Sequence, residues 1–283
     1  MPPGMRNCSE KRGMTPFNRE AVLEILFDSE ARLTARAYIL QIAGALSIPP
    51  SKAKKILKDL VNDQTLAYQE LYGATYVMES FSKPVRITDR FFITPPGIAF
   101  TPRPHEFDIR IFPGISFGSG HHPTTRLCLQ ALDHLFFKLP EADRPRQGET
   151  GDIGTGSGIL AIAMCLAGMD RCRAWEIDAN AVSEARRNVT ANSLGNRVSI
   201  IEDLMSPDNL SLTLLTANLR FPTLKQLAPL ILEATAPGAP LVFSGLRTWE
   251  KEALLSHYKD FGFSCIWDKD EKNWSSVILR TVS

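Results

Sequence analysis

Helical and strand-like patterns alternate through the second half of this 283-residue chain. Apolar residues recur at helical spacing in segments 123–137, 159–167, 179–192, 224–234 and 249–261. Short β-rich runs accompany them at 150–153, 173–177, 198–201, 212–217 and 239–243. Strands separated by helices pair in parallel, because the crossover helix carries the chain back to the same end of the sheet. The pattern therefore predicts a doubly wound, mostly parallel α/β sheet.

Two final β-rich runs, 264–267 and 274–279, follow each other with no helical segment between them. Consecutive strands joined by a short turn pair antiparallel. We expect these two runs to form a hairpin at the edge of the sheet.

Residues 15–80 carry a different pattern, three short helices followed by a β-hairpin. The second helix has Ile39, Ile42, Ala43 and Leu46 on one face, and the third has Ile56, Leu57, Leu60 and Val61. Segments 66–71 and 74–78 read as strands joined by a tight turn. This order resembles a winged-helix module and predicts a small N-terminal α+β domain.

The third helix of this domain has a basic face, formed by Ser51, Lys52, Lys54, Lys55 and Lys58. Such a helix is where a winged-helix module meets nucleic acid. Residues 15–80 nevertheless hold 7 basic against 8 acidic residues, and this balance argues against a dedicated DNA-binding domain. A solvated lysine face is the favoured interpretation, while nucleic-acid contact and protein docking stay open.

Six prolines fall between residues 81 and 113, a density that forbids long helices and favours extended chain or edge strand. We interpret this segment as an ordered, proline-rich connector. The predicted organisation is a flexible tail at 1–14, the winged-helix-like domain at 15–80, the connector at 81–113, and the sheet domain at 114–283.

Composition narrows the classes of protein that this chain can be. Its net charge of +1 gives no global field for nucleic acid, and its longest apolar run, 159–169, is too short to cross a membrane. Five cysteines without a C-x-x-C pair fit free thiols in a reducing compartment, and the first 14 residues do not resemble a secretory signal. We therefore expect a soluble, cytoplasmic protein.

A glycine-rich loop, Asp152-Ile-Gly154-Thr-Gly156-Ser-Gly158, lies where a strand should pass into a helix. Glycines at such a turn let a ligand approach the backbone and the helix N-terminus. The spacing is G-x-G-x-G, with Ile159 in place of the third glycine of the dinucleotide fingerprint, and no lysine follows as in a phosphate loop. These departures disfavour NAD and ATP.

An acidic residue follows this loop at the end of the next predicted strand. Glu176 lies 22 residues beyond Gly154, at the predicted end of the next strand, where a carboxylate can accept both hydroxyls of a ribose. Loop and acid together favour a nucleoside site. Asp203, after a later strand, is placed to meet an adenine amino group, although a plain strand-end acid is equally compatible.

Histidines supply no comparable pattern for a metal. His105, His121 and His122 lack an adjacent set of carboxylate or cysteine ligands, so we predict no metal site. His122, immediately before Pro123, is expected to order its loop.

The segment 152–158 followed by Glu176 resembles the class I S-adenosylmethionine-dependent methyltransferases over about 170 residues. More narrowly, Pro113-Gly-Ile-Ser-Phe-Gly-Ser-Gly-His-His-Pro-Thr-Thr125 is similar to the loop P-G-L-A-F-G-T-G-T-H-P-T-T of the ribosomal-protein methyltransferase family PrmA. Further matches follow in that family's order, at 152–163, 217–219, 227–231 and 244–246.

The resemblance implies S-adenosyl-L-methionine as cofactor and a Rossmann-like fold. It implies that Thr125 closes over the cofactor. With Asp203 added from its place after a strand, the predicted cofactor contacts are Thr125, Asp152, Gly154, Gly156, Gly158, Glu176, Asp203 and Asn218. It places the methionine moiety near Gly154, the ribose on Glu176, and Asn218 beside the transferable methyl as the catalytic residue. The implied acceptor is a protein amine, a lysine or an N-terminus, with a ribosomal protein as partner.

The chain also departs from that family. Phe112 replaces an Asp, His121 replaces a Thr, and the head looks like a winged helix where the family has a ferredoxin-like one. Gly151 and Thr213 stand where a bulky apolar residue and an Asp are usual. Two other hypotheses therefore stay open: a methyltransferase acting on nucleic acid or a small molecule, and a cofactor-sensing winged-helix regulator without turnover.

Overall fold

The computed structural model describes residues 16–281 except 28, 30–32, 72, 81, 113–119, 121 and 146. The predicted tail at 1–14 therefore lies outside the described residues. The chain divides into two compact units, one ending at Glu79 and the other beginning at Ser80.

The first unit contains three helices, α1 (Pro16–Phe27), α2 (Ala35–Ala45) and α3 (Pro50–Asn62), then an antiparallel pair, β1 (Leu66–Leu71) and β2 (Ala74–Glu79). Thr34 caps α2 by accepting from the Ala37 amide at 3.2 Å. Tyr38 is fully buried and donates its hydroxyl to the Val22 carbonyl at 2.6 Å, which fixes α2 against α1. The element order is the one that the sequence predicts, while the assignment to a winged helix stays a prediction.

The second unit begins with a small three-stranded sheet of β3 (Val85–Arg86), β4 (Phe91–Thr94) and β5 (Phe107–Arg110). Strand β3 is antiparallel to β4, which is parallel to β5. Phe91, Ile93 and Ile109 are at most 2% exposed and belong to the same apolar cluster as the neighbouring helices. Part of the proline-rich segment is thus folded onto the larger unit, with its prolines outside the three strands.

A seven-stranded sheet forms the centre of the second unit, in the order β11-β12-β10-β9-β6-β7-β8. The strands are β6 (Glu149–Ile153), β7 (Arg171–Trp175), β8 (Val198–Ile201), β9 (Leu214–Asn218), β10 (Leu241–Arg247), β11 (Phe263–Glu271) and β12 (Trp274–Thr281). The first five are mutually parallel, and β12 pairs antiparallel with both β10 and β11.

Five helices cover this sheet: α4 (Pro123–Asp133), α5 (Ile159–Leu166), α6 (Ala179–Ala191), α7 (Phe221–Ala234) and α8 (Lys251–Lys259). Successive residues of a strand point to opposite faces, and accordingly Leu214 and Leu215 belong to different apolar clusters. The first cluster contains α4 and α5, and the second contains α7 and α8. Helices therefore pack on both faces, as the alternating pattern predicts.

Several element boundaries differ from expectation. Strand β10 ends at Arg247 and β11 at Glu271, each four residues beyond the predicted 243 and 267. The added residues of β11 pair with β12 through Glu271 opposite Trp274, and Asp268 and Asp270 both pair with Lys251. Helix α4 continues into a π-helical turn, His134–Lys138, that helical spacing alone does not distinguish from an α-helix.

The strand order fixes where a ligand site belongs. The chain passes from β6 outward to β7 and β8, then returns to place β9 on the other side of β6. A crevice opens at such a reversal, beyond the carboxyl ends of the strands. No helix among residues whose placement is described is long and apolar enough to cross a membrane.

Candidate functional site

The glycine loop connects β6 to α5 at this reversal. Gly154, Gly156 and Gly158 have φ values of 67°, 55° and 83°, in the left-handed region that glycine adopts without strain. The amides of Gly154 and Thr155 donate to the Trp175 carbonyl at 2.9 and 3.0 Å, which ties the loop to β7. A Cβ on Gly154 would lie 2.5 Å from Leu219 Cδ2, so this position has no space for a larger residue.

Asp152 is a buried residue whose side chain hydrogen-bonds to the loop. Its carboxyl group is 1% exposed and accepts from the hydroxyls of Thr155, at 2.5 Å, and Thr216, at 2.6 Å. Burial raises its pKa to about 6, against the opposing effect of these hydrogen bonds. The carboxyl group thereby links the loop to β9, and its predicted contact with a cofactor stays a prediction.

Glu176 closes the loop from the side of β7. Its Oε2 accepts from the Gly156 amide at 2.9 Å, and its Oε1 accepts from the Ile177 and Asp178 amides at 2.9 and 3.1 Å. A carboxylate has about four lone-pair sites and three of them are used, so Oε2 keeps capacity for one hydroxyl of a ribose. The structure thus brings together the loop and the acid that sequence spacing singled out.

Two other predicted residues present polar atoms that lack a protein partner. Thr125 lies in the first turn of α4 and Asn218 ends β9, and neither Thr125 Oγ1 nor Asn218 Oδ1, both buried, has a hydrogen-bond partner among the described residues. Buried polar atoms are nearly always satisfied, so such orphans indicate a missing ligand or water. Helix α4 packs against both β9 and β10, at the same sheet.

Asp203 lies two residues beyond β8, at the same edge of the sheet. It is exposed, and its Oδ1 accepts from the Leu204 amide at 2.7 Å. Nothing that the structure describes joins its side chain to the glycine loop, so its role toward an adenine stays a prediction.

His122 orders the start of α4, as its place before a proline predicts. It is the N-cap residue, and its Nδ1 accepts from the Thr124 amide at 3.3 Å. His121 and most of the 113–125 motif lie outside the described residues. No group of metal-ligating side chains occurs in the described part of the chain.

Sequence reasoning missed an amide that anchors the segment before this motif. Asn188 is 1% exposed, accepts from the Phe112 amide at 3.0 Å and donates to the Ser157 carbonyl at 2.8 Å. It therefore joins α6, residue 112 and the glycine loop. A polar residue on the apolar face of α6, beside Val189, is the signal that would have identified it.

A second missed feature lies beyond β9. Gly245 has a φ of 87°, and a Cβ there would lie 2.3 Å from the Leu219 carbonyl oxygen. Nearby, the Arg247 guanidinium lies 3.7 Å from the ring centroid of Trp274, whose ring lies 4.9 Å from that of His122. The carboxyl ends of β9 and β10 thus adjoin an aromatic and cationic surface.

Packing explains two departures from the resembled family. A Cβ on Gly151 would lie 2.7 Å from Leu212 Cδ1 and 3.2 Å from Trp175, so only glycine fits beneath them. The Thr213 side chain covers Gly148, and its hydroxyl lies 3.3 Å from the Glu149 carbonyl.

The residues present fit S-adenosyl-L-methionine. The loop has glycine in place of side-chain bulk at three positions, Glu176 offers a carboxylate for a ribose hydroxyl, and Asn218 Oδ1 offers an acceptor that no described residue meets. Such a site takes a nucleoside with a polar, cationic extension.

Comparison with known proteins agrees with this geometry. The sequence profile of the family PrmA, described as ribosomal protein L11 methyltransferase, matches residues 19–281. A relative of that name from Geotalea uraniireducens (strain Rf4) is 33% identical over 213 residues, which cover 72% of this chain and 66% of the relative, just under two thirds of its length. Another, from Shewanella sp. (strain W3-18-1), is 28% identical over 273 residues, 94% of this chain and 84% of the relative.

Among solved structures, a ribosomal protein L11 methylase from Lactobacillus delbrueckii subsp. bulgaricus matches with a TM-score of 0.62 and 20% identity. The match covers 72% of this chain and 100% of that one. It confirms the predicted Rossmann-like class I methyltransferase fold with a mostly parallel seven-stranded sheet. Since the family profile extends over nearly all of the chain, the chain belongs to the PrmA family.

Proposed function

We propose that this chain is an S-adenosylmethionine-dependent methyltransferase that methylates an amine of a protein. The observation that carries the proposal is the closure of Glu176 onto the Gly156 amide at 2.9 Å. This contact supports a ribose site, because the carboxylate lies beside a glycine-rich loop of the kind that lets a ligand approach the backbone. Membership of the PrmA family supports the same conclusion.

The cofactor supplies an activated methyl group on a sulfonium, so no protein nucleophile is required. The chain binds the ribose through Glu176, holds the methionine moiety near Gly154, and excludes water from the crevice. Holding two reacting atoms in line is worth about 7–11 kcal/mol of the barrier.

An amine acceptor has to react in its neutral form. For a lysine, loss of the proton at pH 7 costs about 4.6 kcal/mol, because the ordinary pKa is about 10.4. Asn218 Oδ1 is a buried, unpaired acceptor at the end of β9, and it can take a hydrogen bond from the acceptor amine and aim its lone pair at the methyl. We assign Asn218 as the catalytic residue on this ground.

The substrate that we propose is a ribosomal protein, and the site of action is the cytoplasm. The relatives are named for ribosomal protein L11, and three buried free thiols, Cys128, Cys165 and Cys172, suit a reducing compartment. The head at 15–80 is proposed as a winged-helix-like domain that presents the substrate, followed by the connector at 81–113 and the catalytic domain at 114–283.

Calorimetric titration with S-adenosyl-L-methionine tests the cofactor. Loss of a charge-assisted hydrogen bond to the ribose in Glu176→Ala should weaken binding about tenfold or more. Glu233→Ala, an exposed acid on α7, is the matched control and should bind as the wild type does. Equal affinity of all three proteins would contradict the proposed ribose contact.

Single-turnover methylation of recombinant ribosomal protein L11 tests the catalytic step. We expect Asn218→Ala to slow transfer about 10- to 100-fold, because the amine loses its orienting acceptor. Cofactor affinity, measured beside it, should fall by less than the rate. Full turnover in this variant would remove Asn218 from the mechanism.

A nucleic-acid acceptor is the second candidate, because Lys52, Lys54, Lys55 and Lys58 are all exposed on α3. It predicts salt-dependent RNA binding by the full chain. The regulator without turnover has less support, since the packing of Gly151 and Thr213 accounts for both departures that suggested it.

A further inference from the structure

A second polar cleft lies in the larger unit, at the opposite end of α4 from Thr125. Its volume is about 480 Å³, within the range of small-molecule sites. Three elements form its walls: the turn after β3, the end of α4 with the π-helical turn, and β11. None of the residues assigned above to the cofactor lies in it.

The cleft arises from the way α4 packs against β11. Residues spaced four apart along α4 and its π-helical turn face residues spaced two apart along β11. Three helix–strand pairs therefore follow one another along the contact. At one end Arg126 pairs with Glu271 at 3.3 Å, and at the other His134 stacks on Trp267 with ring centroids 5.7 Å apart. Gln130 and Lys269 occupy the middle level, and there the cleft opens.

Both residues of that middle level lack partners. Gln130 Oε1 is buried and accepts no hydrogen bond, and the Lys269 ammonium has no ion pair or hydrogen bond with any residue that the structure describes. A buried acceptor without a donor is costly, so a ligand or water has to meet it.

The remaining charges of the cleft are already balanced. Asp133 is 1% exposed, accepts from the Thr88 hydroxyl at 3.1 Å and pairs with Lys138 at 3.2 Å. Arg86 pairs with Asp89 at 3.0 Å. Lys269 is therefore the charge of the cleft that has no ion pair among the described residues, and an anionic ligand would pair with it. The π-helical turn in this wall is a feature that often marks functional sites.

We propose that this cleft binds a nucleotide. A nucleobase N–H would donate to Gln130 Oε1, the phosphate would pair with Lys269, and the base would lie against the His134 and Trp267 rings. A simple anion leaves Gln130 unsatisfied, and an amine leaves Lys269 unpaired. Aromatic rings beside a basic group are the usual means of holding a nucleotide.

Two kinds of ligand have the base and phosphate that this cleft would bind: a free mononucleotide and a nucleotide of single-stranded RNA. GMP is the probe, because guanine carries three N–H donors on one edge and is not the base of the proposed cofactor. Titrations of the full chain contain saturating S-adenosylhomocysteine, so that the cofactor site does not contribute. Guanosine and inorganic phosphate are titrated separately, and a six-nucleotide single-stranded RNA supplies the second arm.

We expect GMP to bind with a stoichiometry of one and more tightly than guanosine or inorganic phosphate. Lys269→Glu and Gln130→Met should each weaken binding by about tenfold or more, since each removes one polar contact. Lys259→Glu, an exposed lysine at the end of α8, is the matched control and should bind GMP as the wild type does.

Tighter binding of the RNA than of GMP assigns the site to RNA, and equal binding assigns it to a free nucleotide. Absence of binding by both probes, or affinities unchanged in both variants, overturns the proposal. Affinity for S-adenosylhomocysteine, measured first for every variant, verifies folding and tests the cofactor site separately. Lys269 is exposed, so its variant keeps the test valid even where Gln130→Met does not fold.

Discussion

The carboxyl edge of the seven-stranded sheet and the lysine face of α3 are the two polar surfaces that the sequence singled out. At the sheet edge, glycines contact neighbouring side chains closely, Asp152 is 1% exposed, and Asn218 Oδ1 is buried without a partner. On α3, Lys54 and Lys55 are exposed, and neither forms a side-chain hydrogen bond or ion pair with a residue that the structure describes.

The difference shows how each surface encodes function. The sheet edge restricts which residues fit, so its motif reports a specific ligand. The helix face restricts only the average charge, and any solvated helix can carry such a face. Family resemblance is accordingly informative about the first and leaves the partner of the second open.

Among the substitutions that compare the two surfaces, Gly245→Ala at the sheet edge should have the largest effect on stability. A Cβ would lie 2.3 Å from the Leu219 carbonyl oxygen at a φ of 87°, so backbone has to move. We expect a loss of about 3 kcal/mol or more in the free energy of unfolding. Urea denaturation measures it, and a loss under 1 kcal/mol would show that the edge is more pliable than its packing implies.

Asp152→Asn tests the buried acid through pH. Because burial raises its pKa from 3.8 to about 6, the folded protein holds this proton more tightly than the unfolded chain. The resulting stabilisation is complete below pH 3.8 and is lost as the pH rises through about 6. Stability of the variant relative to wild type should therefore increase by about 2 kcal/mol between pH 4 and pH 7.

Asp63 in the head provides the opposite sign. Slight burial acts to raise the pKa of its carboxyl group, but hydrogen bonds from Arg19 and Thr65 outweigh it and lower that pKa. Its stabilisation is present above the ordinary pKa and is lost as the pH falls through the lowered value. Asp63→Asn should thus lose stability relative to wild type as the pH rises, and matching pH profiles for the two variants would refute this account.

A smaller effect is expected for Gly44→Ala in α2. Nothing lies within 4 Å of a Cβ at this helical position. Alanine should raise the free energy of unfolding by about 0.5–1 kcal/mol, the cost of glycine inside a helix. Thermal unfolding distinguishes this gain from the large loss at Gly245, and a loss here would mean that α2 is packed more tightly than it looks.

The smallest expected effect is that of Lys54→Glu with Lys55→Glu. If the lysine face is only solvated, stability should stay within about 0.5 kcal/mol of wild type and RNA binding should not change. If the face contacts RNA, log K for RNA binding should depend less steeply on log salt concentration. The magnitude of that slope should decrease by about 1.4, since two phosphate contacts are lost. Filter-binding titration across a salt series decides between these results.

Much of the fold follows from the sequence, because helical and strand periods leave strong local signals. The parallel order of the central strands and the final antiparallel hairpin are confirmed. The strands of the proline-rich segment were harder to predict, since β3 spans only two residues and its pairing partner depends on tertiary contacts.

The site divides in the same way. Glycine spacing and Glu176 were visible because the ligand dictates their distance along the chain. Asn188 and Gly245 were not, because each acts on backbone that is remote in sequence: Asn188 on Ser157, and Gly245 on Leu219. A single chain records local periods and short motifs, and it records such long-range contacts only after folding.

The position of Leu219 has an evolutionary consequence. Its side chain fills the space beside Gly154, and its backbone fills the space beside Gly245. Substitutions at these three positions should therefore show epistasis, so that Gly154→Ala costs less when Leu219 is already Ala than when it is Leu. Evolutionary change at this end of the crevice therefore requires coordinated substitutions. Mutant libraries that vary one position at a time will misjudge which sequences are accepted there.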